Sequence, residues 1–448
     1  MIRRMKTPIF DFVKRYAESG NIRMHMPGHK GLGDTERFDI TEIAGADSLY
    51  EASGIIAESE TLAGELFGAS TFYSTEGSSH AIRAMLYLAS LYSGGRCRVL
   101  AARNVHKTFI SAVGLLNIDV EWIASPEGLS YLSADIDTEW LRCRLAERES
   151  LPTAVYLTSP DYLGHVAPIA EIAEICHEAG VLLLVDNAHG AYLKFLEPSR
   201  HPMDLGADMC SDSAHKTLPV LTGGAYLHIS KNAPELLSRE AKRALTVFGS
   251  TSPSYLILSS LDRANAYISA GYRERLLAFT GKLDALKSSL SGYGYTLFGD
   301  EPLKITVMAK PYGYTGEELA SLLLEAGIVS EFCDRDHLVL MLTPDNSDAQ
   351  LFKLALAFSK IKKRPPLTEA APRVVLCEKR LSVREAMLSE SEYVSPRDAI
   401  GRVLADLSVG CPPAVPIAIL GEVINESAAQ AFEYYGTTRI AVVQENNL

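Results

Sequence analysis

The sequence predicts an α/β protein built on a mainly parallel sheet, and three observations support this. Strand-like and helix-like segments alternate from about residue 70 to residue 230, as in sheets that helices cover on both faces. Two apolar runs end in polar residues, one at Asp186 and the other at Ser211-Asp212-Ser213. With 448 residues, 47% of them hydrophobic, the chain has room for two or three domains and a large core.

The individual elements follow from local patterns. A first helix is predicted at 7–17, where apolar residues recur at helical spacing after Thr7-Pro8, a suitable cap and first turn. Further predicted helices span 59–66, 80–92 and 168–179, and predicted strands span 98–102, 153–158, 181–186 and 225–229. A smaller βαββα-like unit follows, with the strand KITVMA and helices at 315–326 and 345–361.

Four parts of the chain are predicted. The run Lys362-Lys363-Arg364-Pro365-Pro366 is typical of a linker, and a module with a helix at 382–388 follows it. The parts are an N-terminal helix and entrance segment at 1–40, a large domain at 41–284, a small α+β domain at 285–364 and a C-terminal α+β module at 365–448.

Composition argues against several classes of protein. The 43 Lys+Arg and 55 Asp+Glu give a formal net charge of -12, which disfavours nucleic acid or anionic membrane as the main partner and mildly favours a cationic substrate. The seven cysteines are scattered without a CxxC pair, which indicates reduced cytoplasmic thiols rather than disulfides or a zinc site. No apolar run reaches the length of about 18 residues that spans a bilayer, and the charged N-terminus predicts an amphipathic helix, not a signal peptide.

An aspartate that ends one buried strand and a lysine just after the next suit pyridoxal phosphate. Asp186 and Lys216 would meet at the sheet edge where α/β proteins bind ligands. The lysine amine can hold the aldehyde as a Schiff base, and the carboxylate can keep the pyridine nitrogen protonated, which makes the ring an electron sink. A helix cap and a solvated lysine are the alternatives for either residue alone, but Ser-x-His-Lys, Gly-Gly and Asp-x-Ala-His occur together here.

A strand, a turn and a helix start near residue 77 form a candidate phosphate site. Gly77, Ser78 and Ser79 stand where the helix begins, and free N–H groups with the positive end of the helix dipole attract an anion there. Plain N-capping by the serines is the alternative. With Lys216 downstream, we assign the phosphate of the cofactor to these three residues.

The motifs VDNAHGAY and SDSAHKTLPVLTGGA resemble those of the bacterial ornithine/lysine/arginine decarboxylase family, which uses pyridoxal phosphate on the aminotransferase-like fold type I. HMPGHKG near the start, FGSTSPSY in the middle, and Gly410-Cys411-Pro412-Pro413 with Leu420-Gly421-Glu422 near the end extend the resemblance over nearly the whole chain. It implies a short form without the N-terminal wing domain of the large members. It also implies a homodimer or tetramer whose active sites are shared between chains.

The resemblance implies cofactor contacts for several residues. His106 would stack on one face of the cofactor ring, with Ala188 on the other face. His189 would approach the cofactor or the substrate, and Ser213 and His215 would contact the cofactor beside the lysine. A structural role is the alternative for His106 and His189.

Two further segments gain roles in the same way. Thr251 and Ser252 would reach the cofactor phosphate of the neighbouring subunit, with a simple helix cap as the alternative. His25, His29 and Lys30 would lie at the active-site entrance and contact the substrate, with a plain surface turn as the alternative.

Glu422 is the candidate for substrate selection. The resemblance places it near the distal cation of the substrate, and burial would make that pairing selective for a cation. A helix cap is the ordinary alternative. Nearby, Gly-Cys-Pro-Pro-Ala-Val-Pro departs from the commoner tyrosine-Pro-Pro-Gly-Ile-Pro form, which bears on the shape and size of the pocket.

The predicted function is decarboxylation of arginine, lysine or ornithine, with arginine narrowly favoured, by a cytoplasmic enzyme of polyamine biosynthesis that needs no metal. Lys216, His106 and Asp186 are the predicted catalytic residues, and Lys216 or a histidine would return a proton to Cα. Two alternatives stay open. Another pyridoxal-phosphate enzyme of this fold, an aminotransferase, aldolase or lyase, would keep Lys216 and Asp186, and a non-catalytic homologue would bind a partner instead.

Overall fold

The computed structural model describes residues 5–123, 130–147, 150–407 and 415–444. Its α-helices are α1 (Pro8–Glu18), α2 (Ile55–Phe67), α3 (Gly77–Ser93), α4 (Lys107–Leu116), α5 (Thr138–Ala146), α6 (Ile169–Ala179), α7 (Ala214–Thr217), α8 (Glu235–Arg239), α9 (Ala241–Phe248), α10 (Tyr255–Ser269), α11 (Tyr272–Gly292), α12 (Gly316–Glu325), α13 (Asp348–Lys360), α14 (Val383–Leu388) and α15 (Glu426–Tyr434). Its strands are β1 (Ser70–Ser74), β2 (Arg98–Ala102), β3 (Asp119–Ile123), β4 (Ala154–Thr158), β5 (Leu182–Asp186), β6 (Met209–Asp212), β7 (Ala225–Ile229), β8 (Thr296–Phe298), β9 (Lys304–Met308), β10 (Phe332–Cys333), β11 (His337–Met341), β12 (Glu378–Lys379), β13 (Ser391–Val394), β14 (Glu422–Val423) and β15 (Ile440–Val443). The Gly410-Cys411-Pro412-Pro413 motif lies outside the described residues.

Seven strands form the main sheet, in the order β1-β7-β6-β5-β4-β2-β3. β4, β5 and β6 run parallel, which confirms the α/β prediction. β7 runs antiparallel to both β6 and β1. The connection from β6 to β7 contains the four-residue helix α7, which is too short to cross a face of the sheet, so the chain returns antiparallel.

β5 is the strand that positions the predicted catalytic aspartate. Its five residues, Leu182–Asp186, are all buried, as is typical of a strand that helices cover on both faces. Helix α6 precedes it and ends at Gly180, which adopts φ +74°, a left-handed conformation that glycine adopts without steric cost. The structure confirms the predicted strand and helix here to within a residue at each end.

Elsewhere the structure differs from the predicted elements in detail. α2 begins at Ile55 rather than at residue 59, because Ile56 in its first turn is buried and packs in the core. β3, α4 and α5 are additional elements between β2 and β4. β3 has mostly half-buried residues, so it lacks the strong apolar signal from which the other strands are predicted.

The chain divides into two compact units. The first comprises Met1–Val99, Thr138–Ser159 and Pro168–Arg275, and the second comprises Leu100–Asp137, Pro160–Ala167 and Leu276–Leu448. The first unit contains Asp186, Lys216 and the Gly77 turn, and the second contains His106 and Glu422. The division into four parts at residues 40, 284 and 364 stays a prediction.

The second unit contains a four-stranded antiparallel sheet in the order β10-β11-β9-β8. The predicted βαββα-like order is confirmed for β9, α12, β10, β11 and α13, and β8 precedes it. Two small sheets, β12 with β14 and β13 with β15, belong to the C-terminal part, where Ile424, Phe432 and Val442 are core residues. Within the described ranges, no helix combines the length and the apolar character needed to cross a membrane.

Candidate active site

Asp186 ends β5 with its side chain buried, and the residue is 2% exposed. In the parallel register it lies opposite Thr158 of β4 and Ser211 of β6. The Ala188 N–H donates to Asp186 Oδ1 at 3.2 Å, and Ser211 Oγ donates to the same atom at 3.4 Å. The end of β5 therefore holds a carboxylate in a fixed orientation with little access to water.

Burial and the neighbouring lysine set the electrostatics of Asp186. Burial raises the pKa of the Asp186 carboxyl, and the charge of Lys216 and the hydrogen bonds from Ala188 and Ser211 partly oppose this rise. The resulting pKa is about 6. The carboxylate is thus charged at neutral pH, but its charge is poorly solvated. A protonated pyridine nitrogen is a partner that would stabilise this charge.

Lys216 lies in α7, the helical turn that follows β6. The Lys216 N–H donates to Ser213 O at 3.0 Å. Its neighbour His215 forms a 3.0 Å hydrogen bond between Nδ1 and Gly224 O, and burial lowers the pKa of the His215 ring. One turn therefore presents a lysine amine and an imidazole that is neutral at physiological pH.

The start of α3 offers backbone donors to an anion. Glu76 occupies the N-cap position but gives the helix no side-chain hydrogen bond, and Ser78 and Ser79 form the first turn after Gly77. Ser213 Oγ donates to Ser78 Oγ at 2.8 Å, which joins this turn to the segment that carries Lys216. A phosphate is favoured at such a helix start by the N–H groups and the dipole.

Gly223 packs against the residues that precede the phosphate turn. Gly223 O accepts from the Gly77 N–H at 2.7 Å. Gly223 adopts φ +97°, and an added Cβ would lie 2.8 Å from Thr75 O. Gly223→Ala should therefore lower the unfolding free energy of the cofactor-free protein by more than the roughly 1 kcal/mol expected of positive φ alone, and it should weaken cofactor binding.

Gly180→Ala is the matched control for this prediction. Gly180 has φ +74°, but no atom lies within 4 Å of its added Cβ. Urea unfolding and cofactor titration of both variants separate backbone strain from the steric contact. An equal stability loss in the two variants, with unchanged cofactor affinity in Gly223→Ala, would contradict the role given to the close approach at Thr75.

The two predicted histidine contacts lie in different units. His106 is the N-cap of α4, and its Nδ1 accepts from the Thr108 N–H at 3.2 Å. This local bond orients the partly exposed ring of His106. His189 is 5% exposed and lies just after β5. Stacking of His106 on the cofactor ring, with Ala188 opposite, stays a prediction, as does a cofactor contact of His189.

The segment predicted to reach a neighbouring subunit is tied to the phosphate turn of its own chain. The Ser250 N–H donates to Glu76 Oε1 at 2.6 Å. Thr251 and Ser252 are both exposed, and the capping side chain of α10 is Ser254 rather than either of them. Their contact with the phosphate of another subunit stays a prediction.

The HMPGHKG segment is held by local hydrogen bonds. His25 Nε2 and the Tyr16 hydroxyl are 2.5 Å apart, and His29 Nε2 lies 3.2 Å from Asp39 Oδ2. Lys30 Nζ donates to His25 O at 2.6 Å. These partners lie between residues 16 and 39, so a substrate contact of His25, His29 or Lys30 stays a prediction.

Glu422 forms an ion pair with Arg103 in the second unit. The pair is bidentate, with 2.5 Å between Nη1 and Oε1 and 3.1 Å between Nη2 and Oε2. The Ile419 N–H also donates to Oε2 at 2.8 Å, and Glu422 is 4% exposed. The carboxylate already has a cationic partner, so the predicted binding of a substrate cation has to displace Arg103 or share Glu422 with it.

Sequence analysis misses Tyr156 as a neighbour of Asp186. The nearby hydroxyl of Tyr156 lowers the pKa of Asp186, and burial together with the charge of Asp186 raises the pKa of Tyr156. Tyr156 lies two residues before Thr158, which pairs with Asp186, so the period of two in a strand places both side chains on one face of the sheet. That register could have identified Tyr156 once the strand pairing was known.

Comparisons with known proteins show which family this chain is similar to. The family described as Orn/Lys/Arg decarboxylase, major domain, matches residues 7–280. The uncharacterized protein YaaO of Bacillus subtilis is 30% identical, over 95% of this chain and 93% of its own length. An arginine decarboxylase of Halalkalibacterium halodurans is 29% identical, over 100% of this chain and 94% of its own length.

Among solved structures, the lysine decarboxylase LdcF of Francisella novicida superimposes with a TM-score of 0.81. The match covers 98% of this chain and 81% of that chain at 16% identity. At this identity the likeness shows the fold alone, which is the aminotransferase-like fold type I.

The residues at the ends of β5 and β6 fit pyridoxal phosphate. Asp186 would offer a buried carboxylate to the pyridine nitrogen, Lys216 would offer an amine to the aldehyde, and the start of α3 would offer donors to the phosphate. Pyridoxal phosphate is accordingly the cofactor. Because the family model matches residues 7–280, more than half of the chain, the chain belongs to the Orn/Lys/Arg decarboxylase family.

Proposed function

We propose that this decarboxylase converts arginine, ahead of lysine and ornithine, to the corresponding amine and CO2, with the cofactor carried by Lys216. The observation that carries the proposal is the buried Asp186 carboxylate within the electrostatic reach of Lys216. Two relatives that match nearly the full length are named arginine decarboxylases, which supports the order of substrates.

Each candidate site residue of the first unit has a defined role in this proposal. Bound pyridoxal phosphate supplies an electron sink for the pair that remains at Cα when the carboxylate leaves. Asp186 keeps a proton on the pyridine nitrogen. The turn of Gly77, Ser78 and Ser79 holds the phosphate through donors of Ser78 and Ser79, since the Gly77 N–H donates to Gly223 O. The protonated amine of Lys216, or a nearby histidine in its protonated form, returns a proton to Cα.

The orientation of the substrate decides the reaction. The bond that breaks must stand perpendicular to the cofactor ring, so the ring plane has to be held firmly. We assign this clamp to His106 and Ala188. The Thr108 contacts of His106 Nδ1 restrict rotation of the imidazole, which supports the assignment.

An aminotransferase, aldolase or other lyase would use the same Lys216 and Asp186, so these residues alone do not select the reaction. Rates of CO2 release from arginine, lysine and ornithine, measured separately, test the proposal. The expected order of kcat/KM is arginine first. A higher kcat/KM for lysine or ornithine would overturn the substrate order, and no CO2 from any of the three would overturn the function.

Glu422→Gln is the prediction that separates substrate binding from ion pairing. The substitution leaves the Arg103 guanidinium, whose side chain is 12% exposed, without its anion, and we expect a stability loss of about 3 kcal/mol. If Glu422 also binds the distal cation, KM for the preferred amino acid rises much more than kcat falls.

Arg103→Met is the matched control, measured by urea unfolding and steady-state kinetics. It breaks the same pair and leaves the carboxylate in place, so it should lose comparable stability without raising KM as Glu422→Gln does. Unchanged kinetics with every basic amino acid in Glu422→Gln would remove the distal-cation role.

The proposal also covers the cellular location, the oligomeric state and the metabolic role of the enzyme. Among the described residues, Cys143, Cys176, Cys210, Cys333 and Cys377 are thiols rather than disulfides, which supports a cytoplasmic location. We further propose a homodimer or tetramer, in which Thr251 and Ser252 complete the site of a neighbouring chain, and a role in polyamine biosynthesis.

A further inference from the structure

A buried anion lies at the end of β6, next to the segment that carries Lys216. Asp212 is the last residue of β6 and is 0% exposed. Its Oδ1 accepts from Asn187 Nδ2 at 2.7 Å. Its Oδ2 accepts from His201 Nε2 at 3.0 Å and from His228 Nε2 at 3.2 Å. Asn187 follows β5, His201 lies in a loop and His228 belongs to β7, so Asp212 joins three parts of the first unit.

The hydrogen bonds define the protonation of this cluster. His201 Nδ1 accepts from the Met203 N–H at 3.3 Å, which assigns the ring proton of His201 to Nε2. His228 Nδ1 lies 2.8 Å from the Thr71 hydroxyl, which can donate to it, and burial lowers the pKa of the His228 ring. Both imidazoles thus donate from Nε2 to Asp212. Although burial alone raises the pKa of Asp212, the two histidines lower it below the ordinary value.

Asn187 transmits the position of Asp212 to the cofactor residues. It lies between Asp186 and Ala188, and its own N–H donates to Ser211 O at 2.9 Å. Asn187 Oδ1 lies 2.0 Å from the position of a Cβ on Gly190, so the side chain fits only because residue 190 is glycine. A movement of Asn187 would therefore move Asp186 as well.

The other side of Asp212 leads directly to the lysine. Ser213, the next residue, bonds to Ser78 of the phosphate turn, and Lys216 follows in α7. Asp212 therefore lies where two segments are fixed to each other. One is the end of β5 with Asp186, and the other follows β6 and contains Ser213 and Lys216.

We propose that Asp212, held by His201 and His228, is a positioning residue that fixes the Asp186 segment relative to the Lys216 segment through Asn187. The anion contacts neither substrate nor cofactor in this role. It sets the spacing of the groups that bind the two ends of the cofactor ring, and its effect appears in cofactor affinity as well as in stability.

Asp212→Asn tests the proposal in the full-length protein, with Asp208→Asn as the matched control. Asp208 stands just before β6, at the opposite end of the same strand, is 6% exposed, and accepts from Leu183 N–H at 2.7 Å and from His177 Nε2 at 3.2 Å. Both variants lose a buried carboxylate that a histidine and a neighbouring strand hold. Only Asp212 is connected to the cofactor residues.

Two readouts separate positioning from stability: the melting temperature of the cofactor-free protein, and the dissociation constant of pyridoxal phosphate from titration of that protein. We expect both variants to melt earlier, and Asp212→Asn to bind the cofactor at least about tenfold more weakly, while Asp208→Asn stays within about twofold of wild type. Cofactor affinity that is unchanged in Asp212→Asn, or equally weakened in Asp208→Asn, would overturn the proposal.

Asn187→Ala is the second variant, and it tests the positioning role of Asp212 even if Asp212→Asn does not fold. It removes the link and leaves the anion with its histidines. The proposal expects weakened cofactor binding in Asn187→Ala, and little further weakening when Asp212→Asn is added, because the two residues act through one contact. Wild-type cofactor affinity in Asn187→Ala would contradict the proposal.

Discussion

Lys216→Ala is expected to abolish the absorbance of the lysine-bound cofactor and to lower the decarboxylation rate on the order of a thousandfold or more. The reason is that Lys216 follows β6 in the turn that is joined to the phosphate contact through Ser213 and Ser78. No other group on that turn offers an amine. An absorbance spectrum of the purified variant with added pyridoxal phosphate, followed by a CO2 assay, measures both effects.

Two control variants accompany this prediction. Lys216→Arg keeps a positive charge near Asp186 but lacks a primary amine, so it should lose the absorbance as Lys216→Ala does. Lys231→Ala removes an exposed lysine beyond β7 and should behave as wild type. Retention of the absorbance in Lys216→Ala would mean that another lysine carries the cofactor.

Asp186→Asn is expected to change activity and stability in opposite directions. Without the carboxylate the pyridine nitrogen loses its proton more easily, so the decarboxylation rate should fall on the order of a hundredfold or more. The cofactor-free variant, however, should be more stable than wild type at pH 8, because it no longer buries a poorly solvated charge.

The sign of the stability change follows from the pKa of Asp186, which burial raises from 3.8 to about 6. A raised folded-state pKa contributes stability that is present below the unfolded pKa and is lost as the pH rises through the folded pKa. Wild type therefore loses stability relative to Asp186→Asn between about pH 4 and pH 6, by about 3 kcal/mol in total. Urea unfolding of both cofactor-free proteins across this range measures the difference.

Asp262→Asn is the matched control for Asp186→Asn. Burial also raises the pKa of Asp262 to about 6, and Asp262 accepts from Ser59 Oγ at 2.6 Å and from the Phe10 N–H at 2.9 Å. Asp262→Asn should therefore show a pH-dependent stability change of the same sign as Asp186→Asn. Its decarboxylation rate should not fall as that of Asp186→Asn does, because Asp262 is not the proposed partner of the pyridine nitrogen. An Asp186→Asn variant with wild-type activity would contradict the role given to its carboxylate.

The sequence predicts the elements of the first unit well where apolar runs are bounded by clear signals. β5 is an example, since Gly180 ends the preceding helix and Asp186 ends the run. The antiparallel direction of β7 was not predicted, because it depends on the short connection through α7 rather than on the composition of β7. Strand β3 was not predicted from the sequence, because its half-buried residues show no apolar pattern.

The motif residues of the candidate site could be located from the sequence, but their partners could not. The Asp212 cluster combines residues 201, 212 and 228 with Asn187, and no periodicity marks such a set before the strands are paired. The Arg103–Glu422 pair joins residues 319 positions apart. Glu422 alone therefore resembles a free substrate contact, and only the folded chain shows that an arginine already neutralises it.

Product analysis with arginine deuterated at Cα tests the central claim, the decarboxylation of a basic amino acid, most directly. The protein loaded with pyridoxal phosphate is incubated with the labelled arginine, and mass spectrometry identifies the products. Decarboxylation breaks the bond to the carboxylate and leaves the deuterium on Cα, so the account predicts the amine agmatine with its deuterium retained, together with CO2. A keto acid that has lost the deuterium would show transamination at the same Lys216 and Asp186, and would contradict the account.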